Sequence, residues 1–275
     1  TEVTELRVIE ELERSADSNV TERVRGRVEV ETGVTSYVEI RFTRTKRCRR
    51  KLCRTTVRDL TALRCPKCGS PLHLRDEETR LDKKQIPAPK LSTILPTLAA
   101  WLEIDSRVEQ RYNREFRALW NPGATNFDDL KFGPSYEVAI ESVLRALLKI
   151  FPDRVRCDRD DVHGATDVSP VAGQPARLYV YDNFREGLGL ADRLFDVPSE
   201  FLRAAAQLID DCTCVDDEGC PVCIQHTHFR NEIRQPSKIA AQYLLRLLLA
   251  QEVSEALDAA REMIAAAGQI PRYRL

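Results

Sequence analysis

The feature that most constrains the fold of this chain is a group of four cysteines within twelve residues near its C-terminal end. A Cys-x-Cys pair and a Cys-x-x-Cys pair enclose an acidic loop; they are Cys212, Cys214, Cys220 and Cys223. Two close thiol pairs can supply the four thiolates of a tetrahedral Zn²⁺. Gly219 and Pro221 beside the second pair suit a tight turn. Because four sulfurs leave no open coordination position, the spacing predicts a structural zinc rather than a catalytic one.

A second cysteine quartet lies in the N-terminal third of the chain and consists of Cys48, Cys53, Cys65 and Cys68. The Cys-Pro-x-Cys-Gly segment that ends at Gly69 is typical of a zinc-ribbon knuckle. The two quartets use eight of the nine cysteines, which favours reduced, zinc-bound thiols over disulfides. The sequence therefore predicts two Zn²⁺ ions, and the remaining Cys157 is assigned no role.

Length and composition set the remaining limits. With 275 residues and 43% hydrophobic content, the chain can form one large domain or two modest ones. It lacks an export signal and the roughly 20 consecutive apolar residues that a membrane span needs, so a cytoplasmic location without a membrane partner is expected. The chain begins with Thr1. Either an initiator Met was removed or the chain is a piece of a longer polypeptide.

The charge is unevenly distributed although the net charge is only −1. The segment from Arg41 to Arg54 contains eight basic residues and no acid. Arginines on a zinc-held turn can bind phosphates in bidentate geometry, which predicts a nucleic-acid contact. The candidate residues are Arg44, Lys46, Arg47, Arg49, Arg50, Lys51 and Arg54. The alternative is a solvated basic edge that keeps a strand from aggregating. The acidic loop of the C-terminal quartet would repel phosphate.

The hydrophobic pattern predicts an α+β fold in two modules. Apolar residues alternate from about Val20 to Lys46, which predicts a β-hairpin around Gly33, and residues 4–15 have the spacing of a short helix or an extension. The polar segment Asp76–Pro89 is interpreted as a linker. We therefore expect a β-hairpin with a basic zinc ribbon in residues 1–80, and in residues 90–275 a mixed α/β domain whose structural zinc lies near the C-terminal helices.

Three segments of the second module have clear element signals. Residues 136–151 carry an apolar stripe and predict a core helix that Pro152 stops. Residues 177–182 predict a strand, and the segment from Gly187 to Gly189 follows as a turn. Ser237 is positioned to cap a helix over residues 238–250.

Motifs of ATP hydrolysis are absent from the chain. None of its eleven glycines is followed by Lys, so there is no Walker A loop, and we expect no enzymatic activity. A minor alternative is a metal-dependent nuclease, because Asp128, Asp129 and Lys131 resemble the Asp-x-Lys end of such sites and Asp105 could add a carboxylate.

A series of short motifs follows a characteristic order from about Leu91 to Leu249. They are the Trp101 segment, Phe151-Pro152, Cys157-Asp-Arg-Asp160-Asp161, Leu178-Tyr-Val-Tyr-Asp182, Gly187-Leu-Gly-Leu-Ala191, the cluster from Cys212 to Gln225, and Lys238-Ile-Ala-Ala241. This order resembles the C-terminal zinc-binding domain of mitomycin-repair-factor-type DEAD/DEAH-box helicases, a domain also found in proteins of bacterial anti-phage systems. The chain departs from the family at Arg185-Glu186, where a Gly-Gly pair is usual, and in its added basic ribbon.

The resemblance implies a module that supports a superfamily-two motor on DNA, with zinc bound by the C-terminal quartet. The predicted function is a zinc-binding, DNA-binding accessory module of an ATP-dependent superfamily-two DNA helicase, in DNA repair or phage defence. The motor would be part of the same polypeptide or a separate subunit, so the expected partners are DNA and that motor. The alternative is a zinc-stabilised protein-interaction scaffold without direct DNA contact.

Overall fold

The computed structural model describes residues 2–16, 21–33, 36–50, 53, 55–57, 59, 61–85, 92–120, 133–168, 174–225, 235–251 and 253–269. Its strands are β1 (Glu2–Ala16), β2 (Thr21–Gly33), β3 (Ser36–Cys48), β4 (Thr56–Val57), β5 (Leu72–Gln85), β6 (Ser92–Ile104), β7 (Val162–Asp167) and β8 (Ala176–Asp182). Its α-helices are α1 (Ser106–Glu115), α2 (Tyr136–Val155), α3 (Asp192–Asp196), α4 (Pro198–Asp210), α5 (Lys238–Leu248) and α6 (Ser254–Gln269), with a 3-10 helix at Arg117–Trp120. The predicted α+β class is confirmed.

The strands form two sheets. One has five strands in the order β1-β2-β6-β8-β7, and the other has three in the order β4-β3-β5. Contacts divide the chain into a smaller unit, Thr1–Thr4 with Thr32–Thr93, and a larger unit, Glu5–Glu31 with Ile94–Leu275. The expected boundaries of residues 1–80 and 90–275 remain a prediction, but Glu5–Glu31 pack with the larger unit rather than with the ribbon.

The central strands of the five-stranded sheet are buried on both faces. Along β6, Leu102 packs into a core formed with the helices, whereas Trp101 packs into a second core on the opposite side. On β8, Leu178 and Tyr179 divide in the same way, and the rings of Trp101 and Tyr179 lie 5.4 Å apart. Successive side chains of a strand point to opposite faces. Burial of both faces therefore explains why these strands are apolar without alternation.

The N-terminal hairpin is formed by β1 and β2, so the predicted pairing across Gly33 is wrong. Arg27 pairs with Glu10 and Arg14 pairs with Glu22 across β1 and β2, which shows that the two strands run antiparallel. β3 pairs instead with β4 and β5 in the other sheet. Alternation identified the strands correctly, but it carries no information about which strand is the partner.

The helix option for residues 4–15 is also wrong, because this segment is β1. Leu6 and Val8, two residues apart, pack partly against the second core, as one face of a strand requires. Ile9 and Leu12, which gave the helical spacing with Leu6, are 54% and 50% exposed. The apparent helical period therefore combined residues from both faces of a strand.

The polar segment after the first cysteine quartet is not a linker over residues 76–85, because β5 continues to Gln85. It pairs with β3 in antiparallel register from Cys48↔Leu72 to Ser36↔Gln85, with an irregularity between Val38 and Ile40. Both strands of this ladder are rich in charged residues, so hydrophobic alternation does not reveal the second strand. Residues 86–90 lie outside the described part of the chain.

The predicted core helix is confirmed as α2. Ser135 caps its start by accepting a hydrogen bond from Val138 N at 3.3 Å. Pro152 does not stop the helix, which continues to Val155 and ends at Arg156 in a left-handed conformation. A proline in the last turn removes a single hydrogen bond, and the Arg156 N–H closes the end by donating to Pro152 O at 2.8 Å.

The start of α5 is fixed by two serines. Ser237 caps the helix as predicted, because its Oγ accepts from Ala240 N at 3.1 Å. The Ser237 N–H donates to Ser142 Oγ of α2 at 3.0 Å, and both serines are buried. This bond joins the start of α5 to the middle of α2. Among the described residues, no helix is both long enough and apolar enough to cross a bilayer.

A buried carboxylate organises the loop that follows β8. Asp182 is fully buried and accepts four backbone N–H bonds of 2.5–3.1 Å, from Leu188, Gly189, Leu190 and Ala191. Glu186 in this loop has φ +65° although it is not glycine. Gly187 also has a positive φ, and a Cβ there would lie 2.6 Å from Leu98 Cβ. The positive φ of Glu186 gives a physical reason why glycine would be favoured at the Arg185-Glu186 departure.

We predict that Asp182→Ala lowers the free energy of unfolding by about 2–4 kcal/mol, because one buried and three partly buried N–H groups lose their common acceptor. Urea unfolding monitored by circular dichroism measures the change. Asp153→Ala serves as the control because Asp153 is exposed. Equal stability of the two variants would contradict an organising role for Asp182.

Candidate metal centres and nucleic-acid interface

The C-terminal quartet is brought together at the end of α4. Its Sγ atoms lie 3.4–3.8 Å apart in four of the pairs, and all four atoms lie within 4.8 Å of one another. The chain turns tightly through the second pair, because Cys223 N and Gln225 N both donate to Cys220 O at 3.1 Å. The Cys220 N–H points at Cys223 Sγ at 3.1 Å.

The N-terminal quartet forms a second group of four sulfurs at the end of β3. Cys48 and Cys68 Sγ lie 3.4 Å apart, Cys53 and Cys65 Sγ lie 3.7 Å apart, and the set again lies within 4.8 Å. The knuckle from Cys65 to Cys68 is closed by Gly69 N, which donates to Cys65 O at 2.9 Å. These are the eight cysteines that the sequence nominated.

The sulfur positions fit zinc. A regular tetrahedron of sulfurs about 2.3 Å from Zn²⁺ has edges of about 3.8 Å, close to the separations of 3.4–3.8 Å found here. A disulfide would need about 2.05 Å. The donor set is four thiolates with no carboxylate or imidazole, which is typical of closed structural sites. Each set can therefore hold one Zn²⁺, and neither leaves a position for a reacting molecule.

The thiols of each cluster differ in their readiness to ionise. The Ser70 hydroxyl and N–H lower the pKa of Cys68 to about 6. Burial opposes ionisation of Cys220, but the N–H groups of Cys223 and Val222 lower its pKa to about 7. Burial raises the pKa of Cys48 and of Cys214 to about 12. Four crowded thiols cannot all carry charge without a cation among them.

Lys238 compensates charge at the C-terminal cluster. Its Nζ donates to Cys212 O at 2.6 Å and to Cys214 O at 3.2 Å, and it lies 3.7 Å from Cys214 Sγ. Lys238 belongs to the Lys238-Ile-Ala-Ala241 motif, but the motif alone does not indicate this role. A lysine at the first position of a helix interacts unfavourably with the helix dipole. This unfavourable position is the sequence feature that could have indicated a role for Lys238 outside the helix.

The acidic loop of this cluster also caps α5. Asp217 Oδ1 accepts from Ile239 N at 2.9 Å, and Asp217 O accepts from Lys238 N at 2.6 Å. Lys149 of α2 donates to Pro221 O at 2.7 Å. The loop is thus bonded to two helices. Asp216 and Glu218 remain exposed, so the outer face of the cluster is acidic.

Gly219 allows the tight turn from Cys220 to Cys223 to form. Its φ is +72°, and a Cβ there would lie 2.4 Å from Ile224 Cγ1 and 2.9 Å from Cys223 Sγ. Cys223 and Ile224 are fully buried. The Gly219 carbonyl accepts from Gln225 Nε2 at 2.9 Å, which closes the turn. His226 and His228, which follow the cluster in sequence and could be considered as further ligands, lie outside the described residues.

The structure separates the predicted basic residues into groups. Arg49 and Arg50 are exposed and Arg47 is half-buried. Lys46 is half-buried and donates to Ala62 O at 2.8 Å, so this lysine supports the fold. Arg44 lies opposite Asp76 in the ladder. Its side chain lies outside the described part of the structure, as do Lys51 and Arg54.

Two further cations lie on the same ribbon and were missed from the sequence. Lys67 is exposed inside the Cys65–Cys68 knuckle, and Arg64 is exposed immediately before it. Arg64 Nη1 donates weakly to Gly69 O at 3.4 Å. The spacing of the knuckle places both beside the metal, and this was the signal that could have identified them.

The carboxylate that the nuclease alternative needs at Asp105 is engaged in the fold. Asp105 caps α1 by accepting from Arg107 N at 2.8 Å, and it also accepts from the Arg107 guanidinium. The Arg107 hydrogen bonds lower the pKa of this carboxyl group. Asp128, Asp129 and Lys131 lie outside the described residues.

A pocket of about 360 Å³ lies beside the C-terminal cluster. Its apolar lining includes Leu208 and Val222, and its polar lining includes Asp153 and Asp211. Val222 is 67% exposed. Arg154 also lines the pocket, so its charged lining consists of two carboxylates and one guanidinium group.

Comparison with known proteins identifies the C-terminal cluster. The family described as the MrfA Zn-binding domain matches residues 143–224. This range contains all four cysteines of the C-terminal quartet and none of the N-terminal one. The resemblance drawn from the sequence is confirmed for this segment, and the family match together with the two cysteine clusters supports zinc at two sites.

Two curated relatives are helicases that are much longer than this chain. An uncharacterized ATP-dependent helicase, YprA of Bacillus subtilis, is 30% identical over 156 residues, which cover 57% of this chain and 16% of that protein. The ATP-dependent helicase hrq1 of Schizosaccharomyces pombe is 28% identical over 129 residues, which cover 42% of this chain and 12% of that protein. The chain thus spans less than a fifth of either relative.

A solved structure of the DUF1998 helicase MrfA bound to DNA is also similar. The match has 22% sequence identity and a TM-score of 0.48, and it covers 89% of this chain and 24% of that one. A second structure of the DUF1998 helicase MrfA matches with a TM-score of 0.42 and the same coverage.

We predict that Cys223→Ser and Cys65→Ser each reduce bound zinc from two ions per chain to one, because each removes one of four thiolates. Zinc released by acid and quantified with a chromogenic chelator measures this. Cys157→Ser is the matched control, since Cys157 belongs to neither cluster. Zinc loss in the control, or two ions retained in both test variants, would contradict the assignment.

We also predict that Gly219→Ala weakens zinc binding at the C-terminal cluster without abolishing it. The added Cβ would meet Cys223 Sγ and Ile224 in a backbone conformation that favours glycine. Competition with a chelator of known affinity should show faster zinc loss from one of the two sites. Gly69→Ala provides the comparison, because φ there is also positive but no atom lies within 4 Å of a Cβ.

Proposed function

We propose that this chain, in which residues 143–224 match the MrfA Zn-binding domain, is a zinc-stabilised DNA-binding module of an ATP-dependent superfamily-two helicase. The motor belongs to the same polypeptide or to a separate subunit. The module holds DNA while the motor moves, and it has no catalytic role of its own. DNA repair and phage defence are the proposed settings, and a cytoplasmic location remains a prediction.

The observation that carries the proposal is the exposed guanidinium pair of Arg49 and Arg50 on the metal-held turn of the ribbon. Their backbone is fixed, because Arg49 N donates to Pro71 O at 3.1 Å and Arg50 N lies 3.4 Å from Cys48 Sγ. Each side chain is exposed and has no ion-pair partner within the described part of the chain. Preorganised arginines lose less entropy when they bind phosphate than flexible ones do.

Zinc makes this arrangement possible. The turn from Cys48 to Cys53 and the knuckle from Cys65 to Cys68 meet at one group of sulfurs, so Arg49, Arg50 and Lys67 lie on segments joined through the metal site. We assign these three cations, with Arg47 and Arg64, to phosphate contact. The ligands of the two ions are the two cysteine quartets, with the C-terminal one acting as a clamp on the helices.

The second candidate function is a protein-interaction scaffold. The pocket beside the C-terminal cluster favours it, because Asp153, Arg154 and the exposed Val222 offer charged and apolar contacts to a protein segment. The exposed Asp216 and Glu218 of the same cluster would repel phosphate, so this surface and the ribbon suit different partners. The metal-dependent nuclease is retained only as a minor alternative, and cleavage tests with Mg²⁺ and Mn²⁺ decide it.

We predict that Arg49→Glu/Arg50→Glu weakens DNA binding and flattens its dependence on salt. Each lost phosphate contact should reduce the slope of log K against log salt by about 0.7–0.9. Fluorescence anisotropy with a labelled oligonucleotide at several salt concentrations measures both effects. The control is Arg159→Glu/Arg203→Glu, which changes the charge equally at exposed positions of the larger unit.

Adding Arg47→Glu to the pair should lower the affinity further. Equal binding by the wild type, the ribbon variant and the control would refute the assignment of the ribbon. A wild-type chain that binds no DNA at low salt would instead favour the scaffold. Both outcomes require that the ribbon variant retains two zinc ions, which confirms that its turn is folded.

A further inference from the structure

One strongly apolar side chain stands among the cations of the ribbon. Leu63 is 80% exposed and directly precedes Arg64. Single exposed apolar side chains are common on protein surfaces and need no explanation by themselves. Two properties distinguish this one, namely the fixed backbone of its loop and the spacing of the cations around it.

The loop that carries Leu63 is bonded on both sides. Leu63 O accepts from Leu72 N at 3.2 Å, and the preceding Ala62 O accepts from Lys46 Nζ at 2.8 Å. Upstream, Thr61 N and Thr61 Oγ1 donate to Asp59 Oδ1 at 2.8 and 2.6 Å. Leu63 is therefore exposed on an ordered loop, and little conformational entropy would be lost when this side chain is covered.

The arginines near Leu63 lie close to one another across Pro71. Pro71 lies between two arginines, because Arg49 N donates to Pro71 O at 3.1 Å and Arg64 pairs with Pro71 in an antiparallel bridge. Adjacent strands lie about 4.8 Å apart, so the backbones of Arg49 and Arg64 are separated by about 10 Å. Two arginines this close together can both contact phosphates of one nucleic-acid strand.

We propose that Leu63 is an apolar contact for unpaired bases, and that the ribbon consequently prefers single-stranded or frayed DNA over a closed duplex. The inference rests on the proposed DNA-binding function and specifies the form of DNA that is bound. A leucine can pack against a base face that no neighbouring base covers. In a closed duplex these faces are stacked on one another, so Leu63 remains exposed to water.

The two kinds of contact have separable signatures. Arg49, Arg64 and Lys67 bind phosphate in either form of DNA and set the salt dependence. Leu63 carries no charge, so its contribution is independent of salt and is present only where a base face is free. Covering a leucine side chain is worth enough to change an affinity by about tenfold, or about 1.4 kcal/mol.

The experiment compares Leu63→Ala with the wild-type chain on a labelled single strand, its blunt duplex and a forked duplex of the same sequence. We expect about tenfold weaker binding to the single strand and the fork, unchanged binding to the duplex, and unchanged salt slopes. Leu63→Phe should retain the preference, because an aromatic ring stacks on bases. Leu188→Ala is the matched control, since Leu188 is 64% exposed in the larger unit.

A second readout uses 2-aminopurine at the fork junction. Wild-type chain should increase its fluorescence by unstacking the base, and Leu63→Ala should increase it less. Only variants that retain two zinc ions are compared. If Leu63→Ala loses a zinc ion, Leu63→Gln is used in its place.

The outcomes separate this inference from the proposed function. Salt-dependent binding by the wild type together with normal single-strand binding by Leu63→Ala would overturn the role of Leu63 and leave DNA binding intact. An equal loss on all three DNAs would also overturn it, because a base contact cannot weaken duplex binding. Absence of binding by the wild type at low salt would refute the proposed function itself.

Discussion

The larger unit depends on how the charge of the C-terminal cysteine cluster is compensated. Four thiolates around one Zn²⁺ leave about two negative charges. The cluster receives Lys238 at 3.7 Å from Cys214 Sγ, and the same lysine is the first residue of α5. Asp217 caps that helix from the cluster side, and Lys149 of α2 is bonded to Pro221 O. The metal site thus connects α2, the end of α4 and the start of α5, elements that are distant in sequence.

Local chemistry made much of this structure predictable. The eight sulfurs meet in the two sets that spacing indicated, and Ser237 caps α5 as its position suggested. Which strands pair with each other was not predictable. β3 pairs with β5 over a long ladder, and β5 is so rich in charged residues that no hydrophobic period reveals it. Leu6, Ile9 and Leu12 gave a helical spacing in β1, because residues on opposite faces of a strand can imitate it.

The candidate interface shows the same limit. The basic run was evident from composition, but only the fold shows that Lys46 is bonded to Ala62 O while Arg49 and Arg50 are exposed. Arg64 and Lys67 belong to the same surface although they lie outside that run. Sequence gives the charge of a segment, whereas the hydrogen bonds of the fold decide which of those charges are available to a partner. The two metal clusters illustrate this, because identical donor sets stand in surroundings of opposite charge.

The long pairing of β3 with β5 has a mechanical consequence. The ladder extends from Cys48↔Leu72 at the metal to Ser36↔Gln85 at its other end. At about 3.4 Å per residue this is a distance of about 40 Å, comparable to about twelve nucleotides of one DNA strand. Two-stranded ribbons twist strongly but resist bending where they are fully hydrogen-bonded. The irregularity between Val38 and Ile40 permits a local bend near the far end, whereas the unbroken pairing from Ile40 to Cys48 makes the segment that leads to the metal site stiff.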